Sequence, residues 1–87
     1  FELVMAGLGA CTAITLRMYA DRKQWQLGGV EVALKCLKDG DRVRVERVVA
    51  FSGALTSEQR DRLADIAERT PVTLALKSGM DIRTSLR

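Results

Sequence analysis

The run Phe1–Leu16 is strongly apolar, with Glu2 its only charge. No proline interrupts it, and its Ala, Leu and Met residues favour helix. The pattern predicts one helix from Phe1 to about Lys23, apolar nearly all round for four turns. Its second half is amphipathic, with Arg17, Asp21, Arg22 and Lys23 reaching water. Gly7 and Gly9 each cost such a helix about 1 kcal/mol relative to Ala, which predicts another backbone packed close there. The run is shorter than the ~20 residues that span a bilayer. It also lacks the basic leader and cleavage region of a signal peptide. The expectation is therefore a buried core helix and no membrane.

Gly28-Gly29 separates this helix from a period-two segment, Val30–Leu37. Val30, Val32, Leu34 and Cys36 face one way and Glu31 and Lys35 the other, the pattern of a half-buried strand. Lys38-Asp39-Gly40-Asp41 supplies turn chemistry. Arg42–Phe51 then completes an antiparallel hairpin. The alternation slips at Arg47-Val48-Val49, which predicts a bulge or a change of burial.

Thr56 and Gln59 have the spacing of a capping box. The helix that follows to about Arg69 has Leu63, Ile66 and Ala67 on its apolar side. Glu58–Arg62 and Asp65–Arg69 are pairs of favourable i,i+4 orientation. Thr70-Pro71 reads as a second N-cap with proline at the first helical position. A short helix runs to Lys77 and stops at Ser78-Gly79. Met80–Leu86 alternates again and closes the chain as a strand. The order is helix, strand, strand, helix, short helix, strand, in one α+β domain over residues 1–87.

This layout leaves the first helix short of cover. Three strands and one amphipathic helix enclose one face of it, so the rest of its apolar surface calls for another subunit or for upstream chain. The sequence has no initiator Met and opens inside the apolar pattern, which agrees with residues lying upstream.

Composition narrows the function. Hydrophobic residues make up 47% and charged residues 29%, as in ordinary globular domains rather than disordered chains. The net charge of +3 is dispersed, with acids beside most bases and no aromatic stacking platform, which argues against nucleic acid as a partner. There are no histidines, so a histidine base, a Ser-His-Asp triad and nearly every zinc site are excluded. No metal and no cofactor are expected. The two cysteines, Cys11 and Cys36, do not form a metal-type pair, and so few fit a reducing cytoplasm. Cys36 alternates with core residues and reads as packing. Cys11 also reads as a small hydrophobe on spacing alone. A reactive thiol there requires a cation, a helix N-terminus or an acceptor nearby, and none stands beside it in register. Thr70 reads as a helix cap.

The stretch Phe1-Glu2-Leu3-Val4-Met5-Ala6-Gly7-Leu8-Gly9-Ala10-Cys11-Thr12-Ala13-Ile14-Thr15-Leu16 resembles the central helix of the OsmC/Ohr family, the osmotically inducible and organic hydroperoxide resistance proteins. Arg17–Lys23 is similar to one bacterial subgroup. The likeness continues through Gly29–Val32, Ser52–Leu55 and Arg62–Val72. It implies an OsmC-like fold, an interlocked homodimer with a buried central helix, antiparallel strands and a second helical pair. It also implies hydroperoxide reduction by a cysteine pair, the first attacking the peroxide and the second resolving the sulfenic acid as a disulfide. Cys11 matches the first position. Thr70 stands at the second, and a hydroxyl forms no disulfide. The family's arginine belongs to its N-terminal half, and its carboxylate falls at Phe1, one residue from Glu2. The resemblance thus implies a single-cysteine peroxidase, or a remnant of one, served by an external thiol reductant. The alternative is a non-enzymatic dimeric module that binds a small hydrophobic ligand or a partner domain.

Overall fold

A computed structural model of the chain describes residues 1–86. It has α1 (Glu2–Lys23), β1 (Val30–Asp39), β2 (Arg42–Phe51), α2 (Ser57–Glu68) and α3 (Pro71–Ser78). The architecture is α+β, with α1 packed on a two-stranded antiparallel sheet and α2 and α3 packed against α1 and against each other.

The helix α1 buries one stripe, Leu8, Thr12, Leu16 and Ala20, spaced four residues apart so that they lie one above the other. Leu16 and Ala20 join Leu27, Leu63 and Ala67 in the core, with Val49, Phe51 and Ile66 packed around them. The opposite face is open: Leu3 is 89% exposed, Ile14 59% and Met18 57%. The helix is not enclosed within this chain, in agreement with the shortage of cover read from the sequence. At 22 residues α1 is long and apolar enough to cross a membrane by length and composition, contrary to the shorter run read from the sequence. Its buried stripe against the sheet, α2 and α3 gives it the place of a core helix.

The chain leaves α1 through Gln24 in the left-handed conformation, φ 61°, and returns to the sheet past a backbone crossing. Gly53 donates its N–H to Leu27 O at 3.0 Å. A Cβ on Gly53 would lie 1.9 Å from Gln26 O, so only glycine fits. Gly28, at φ 68°, faces the same segment. The glycines of α1 behave differently from the expectation. A Cβ on Gly7 would meet nothing, and one on Gly9 would meet the Leu34 side chain at 3.1 Å rather than a backbone.

The hairpin register is unbroken from Val30↔Phe51 to Asp39↔Arg42. The slip at Arg47 is therefore neither a bulge nor a change of burial but a charged side chain at an inward position. Val45, Arg47, Val49 and Phe51 are half-buried while Val48 is 66% exposed. Cys36 pairs with Val45 yet is exposed, which corrects its expected place in the core. Alternation predicts the side of a strand, but the cover over Leu34 does not extend to Cys36 near the turn.

Both predicted caps form. Thr56 Oγ1 accepts from Gln59 N–H at 3.1 Å, and Gln59 Oε1 accepts from Thr56 N–H at 2.9 Å. Of the two predicted charge pairs, Asp65–Arg69 is made at 2.6 Å. Arg62 instead reaches Tyr19 Oη at 3.0 Å and Asp65 at 3.4 Å. The predicted strand Met80–Leu86 is absent: residues 80–86 carry no regular structure, and Ile82 is 82% exposed. A period-two pattern makes a strand only where an edge pairs with it, and among the described residues the sheet contains β1 and β2 alone.

Candidate functional site

Arg47 is the most connected side chain in the structure's interior. On β2 it stands opposite Leu34 and turns inward beneath α1, with only 11% of its side chain exposed. A buried guanidinium must have partners for its donors. Nη1 donates to Thr12 Oγ1 at 3.0 Å and to Thr73 Oγ1 at 2.9 Å. Nη2 donates to Ala67 O at 3.0 Å and meets Glu68 Oε1 at 3.4 Å. One side chain thus ties α1, the last turn of α2 and the first turn of α3 to the sheet. Ala67 O is among the carbonyls at the end of α2 that lack an intrahelical partner, so the contact also caps that helix.

The threonines complete the arrangement. Thr12 Oγ1 donates to Leu8 O at 2.7 Å while accepting from Arg47. Thr70 is 1% exposed and caps α3, accepting from Thr73 N–H at 3.2 Å. The two hydroxyls of Thr70 and Thr73 are 2.6 Å apart, and Thr73 Oγ1 also lies 3.2 Å from Ala67 O. One proton arrangement satisfies all of these contacts: Thr70 donates to Thr73, and Thr73 donates to Ala67 O. Among the described residues no buried side-chain polar atom lacks a partner.

Glu68 closes the outer side. Lys77 Nζ donates to its Oε2, and this contact, with the nearby Lys77 and Arg47 charges, holds the carboxyl below its usual range despite partial desolvation. Two clefts flank the Arg47–Glu68 pair. The larger, about 460 Å³, has Leu8, Val43, Val45 and Leu76 beside Arg47, Thr73 and Lys77. The smaller, about 240 Å³, lies over Val49, Phe51 and Leu63, with Arg60 at its edge.

Cys11 is a free, half-buried thiol at the margin of the buried stripe of α1. It borders neither cleft and makes no hydrogen bond among the described residues. The chain of contacts that starts at its neighbour Thr12, 3.0, 2.9 and 2.6 Å in turn, passes through Arg47 and Thr73 to Thr70. The two sequence-predicted positions are therefore joined through Thr12, not by a direct bond. Arg47 is an arginine that the sequence did not point to as a site residue, and its contacts reach Thr12, beside Cys11, and not the Cys11 thiol. Its signal in the sequence was the charge at an inward position, read there as a slip. Thr12 and Thr73 carried no signal of their own.

The OsmC-like protein family model matches residues 1–85. The chain belongs to the OsmC-like family. Its fold is similar to the crystal structure of a Psychrobacter arcticus 273-4 protein described as an osmotic stress induced and detoxification response protein. The TM-score is 0.74 at 17% identity, over 85% of this chain and 56% of that one. This OsmC-like chain thus spans little more than half the length of that structure. Among curated proteins none matches it.

Proposed function

We propose that this OsmC-like chain is a thiol-dependent hydroperoxide reductase that works through Cys11 alone. The observation that carries the reading is the contrast between the two family positions. Cys11 is a free and partly exposed thiol, whereas Thr70 is buried and committed as a cap. Cys11 Sγ, as thiolate, attacks the distal oxygen of an organic hydroperoxide. The S–O bond forms as the O–O bond breaks, and the departing alkoxide takes a proton from solvent and leaves as an alcohol. Sulfur is oxidised to sulfenic acid and the peroxide is reduced. Because Thr70 supplies no second sulfur, a small external thiol condenses with the sulfenic acid, releasing water and forming a mixed disulfide. A second thiol then frees Cys11 and departs within a disulfide. The working unit is a soluble cytoplasmic homodimer, with the open apolar face of α1 as its contact.

The test is intact-protein mass after treatment with an organic hydroperoxide. One added oxygen on Cys11, removed by a small thiol and absent in Cys11→Ser, supports the reading. A Cys11 left unmodified by hydroperoxide ends it.

The second reading is a non-enzymatic module that binds a small hydrophobic molecule or a partner domain. It is favoured by one observation: all four Nη contacts of Arg47 go to Thr12, Thr73, Ala67 and Glu68, so no Nη donor is left for a thiolate.

A further inference from the structure

We propose that Arg47 is a positioning residue for the Cys11 site, holding the α1 turn that carries Cys11 against the α2–α3 junction that carries Thr70. As a role in the reaction, the proposal rests on the reading of Cys11 given above. Its geometry stands independently. Thr12 and Thr73 come from different helices and both accept from the same nitrogen, Nη1, at 3.0 and 2.9 Å. Thr12 is locked from both sides, since its hydroxyl also donates to Leu8 O at 2.7 Å. The turn from Leu8 to Thr12, which contains Cys11, is thereby fixed to β2.

At the far end Nη2 takes Ala67 O at 3.0 Å, and Thr73 takes Thr70 at 2.6 Å. Apolar packing of Ala67 on Leu16 and Ala20 also holds α2 to α1, but among the described residues the Arg47 contacts alone tie the Thr12 turn to Thr73 by hydrogen bonds. Hydrogen bonds from an ionised donor to buried acceptors are stronger than neutral ones, and these are nearly dry. Removing Arg47 leaves Thr12 and Thr73 without their shared donor and Ala67 O with less cover. The junction then keeps its apolar packing on α1 but loses the hydrogen bonds that fix its register to the Cys11 turn. Arg47 acts on Cys11 through Thr12 and on position 70 through Thr73, and touches neither directly.

The test measures distance as an effective concentration. In a Thr70→Cys, Cys36→Ser background, which gives up the Thr70 hydroxyl but keeps the Arg47 contacts to Thr12, Thr73 and Ala67, the disulfide between Cys11 and the introduced thiol is equilibrated against a glutathione redox buffer. With Arg47 present it should form readily. Arg47→Met should lower the effective concentration about tenfold or more, the loss of one charged hydrogen bond or greater. Arg47→Lys, which keeps the charge but reaches fewer partners, should recover part of it. Thr12→Val and Thr73→Val each cut one arm and should each lower it, so the proposal stays testable if Arg47→Met does not fold. Thr56→Ala, which weakens the far cap of α2 and lowers stability without touching this network, should leave it unchanged. Failure of the disulfide to form with Arg47 in place overturns the proposal. So does an effective concentration that is indifferent to Arg47, Thr12 and Thr73, or that Thr56→Ala lowers equally. No hydroperoxide is used here, so a Cys11 that proves inert to hydroperoxide counts against the peroxidase reading alone.

Discussion

Thr70 Oγ1 lies 2.6 Å from Thr73 Oγ1 and accepts from the Thr73 backbone N–H at 3.2 Å. One buried hydroxyl therefore serves as both a helix cap and a donor within the network. Thr70→Val keeps the shape and removes both functions. Loss of an N-cap costs about 1 kcal/mol, and a buried donor or acceptor left unpaired costs about 1–3 kcal/mol. Urea denaturation should show a loss in that combined range, while Thr70→Ser should lose well under 1 kcal/mol. A Thr70→Val variant as stable as the parent would mean that the cap and the network contribute nothing.

Glu68 gives the fold a pH dependence of known sign. The Lys77 hydrogen bond lowers its folded-state pKa first, and the Lys77 and Arg47 charges add to this against partial desolvation. A depressed carboxyl pKa contributes stability that is present above the unfolded value, about 4.3, and lost as pH falls through the folded value. The Glu68 side chain is 56% exposed, so solvent screening holds the contribution to about 1 kcal/mol or less. Glu68→Gln should therefore be less stable than the parent near neutrality, and the gap should close as pH falls below about 4. Paired denaturation curves at pH 7 and pH 3 check this, and a gap that widens in acid contradicts it.

The local signals were legible because their causes are local. Thr56 and Gln59 cap each other across three residues, and Thr70-Pro71 starts α3 with bonds to its own first turn. As site residues, Cys11 and Thr70 were legible only as positions matched to a family, although Thr70 was already legible as a cap. Arg47 was hidden, because the hydroxyls that make its burial tolerable, Thr12 and Thr73, lie 35 and 26 residues away. A charge at an inward strand position looks like an error in the pattern until distant partners are in view. Met80–Leu86 failed for the complementary reason. Its alternation is real, but a strand needs an edge to pair with, and among the described residues β1 and β2 pair only with each other.

Cys36 turns from an expected core residue into an accessible one. It is exposed near the hairpin turn, while Cys11 is half-buried. A maleimide should label Cys36 in the native chain faster than Cys11, with Cys36→Ser abolishing the fast phase. Equal slow labelling of both would show that another surface covers this end of the sheet.

The open face of α1 yields the strongest expectation about assembly. Leu3, Ile14 and Met18 are 89%, 59% and 57% exposed, and Gly7 presents no side chain with nothing near it. Large apolar residues beside a small one make a surface that a second helix can approach closely. Contiguous exposed apolar surface of this kind is uncommon on monomers and marks contact sites. A second copy offers the same face, so a two-fold arrangement satisfies both chains at once. An obligate interface built this way buries more than about 2,000 Å². Sedimentation at micromolar concentration should give a dimer. Ile14→Glu places a charge where the partner should sit, and weakens association at least about tenfold if Ile14 lies near the centre of the contact. The buried stripe Leu8, Thr12, Leu16 and Ala20 is on the other side of α1, so the far-ultraviolet spectrum of the variant should remain that of the parent. A parent chain that sediments as a monomer, or an Ile14→Glu variant that dimerises as tightly as the parent, would exclude this face as the contact.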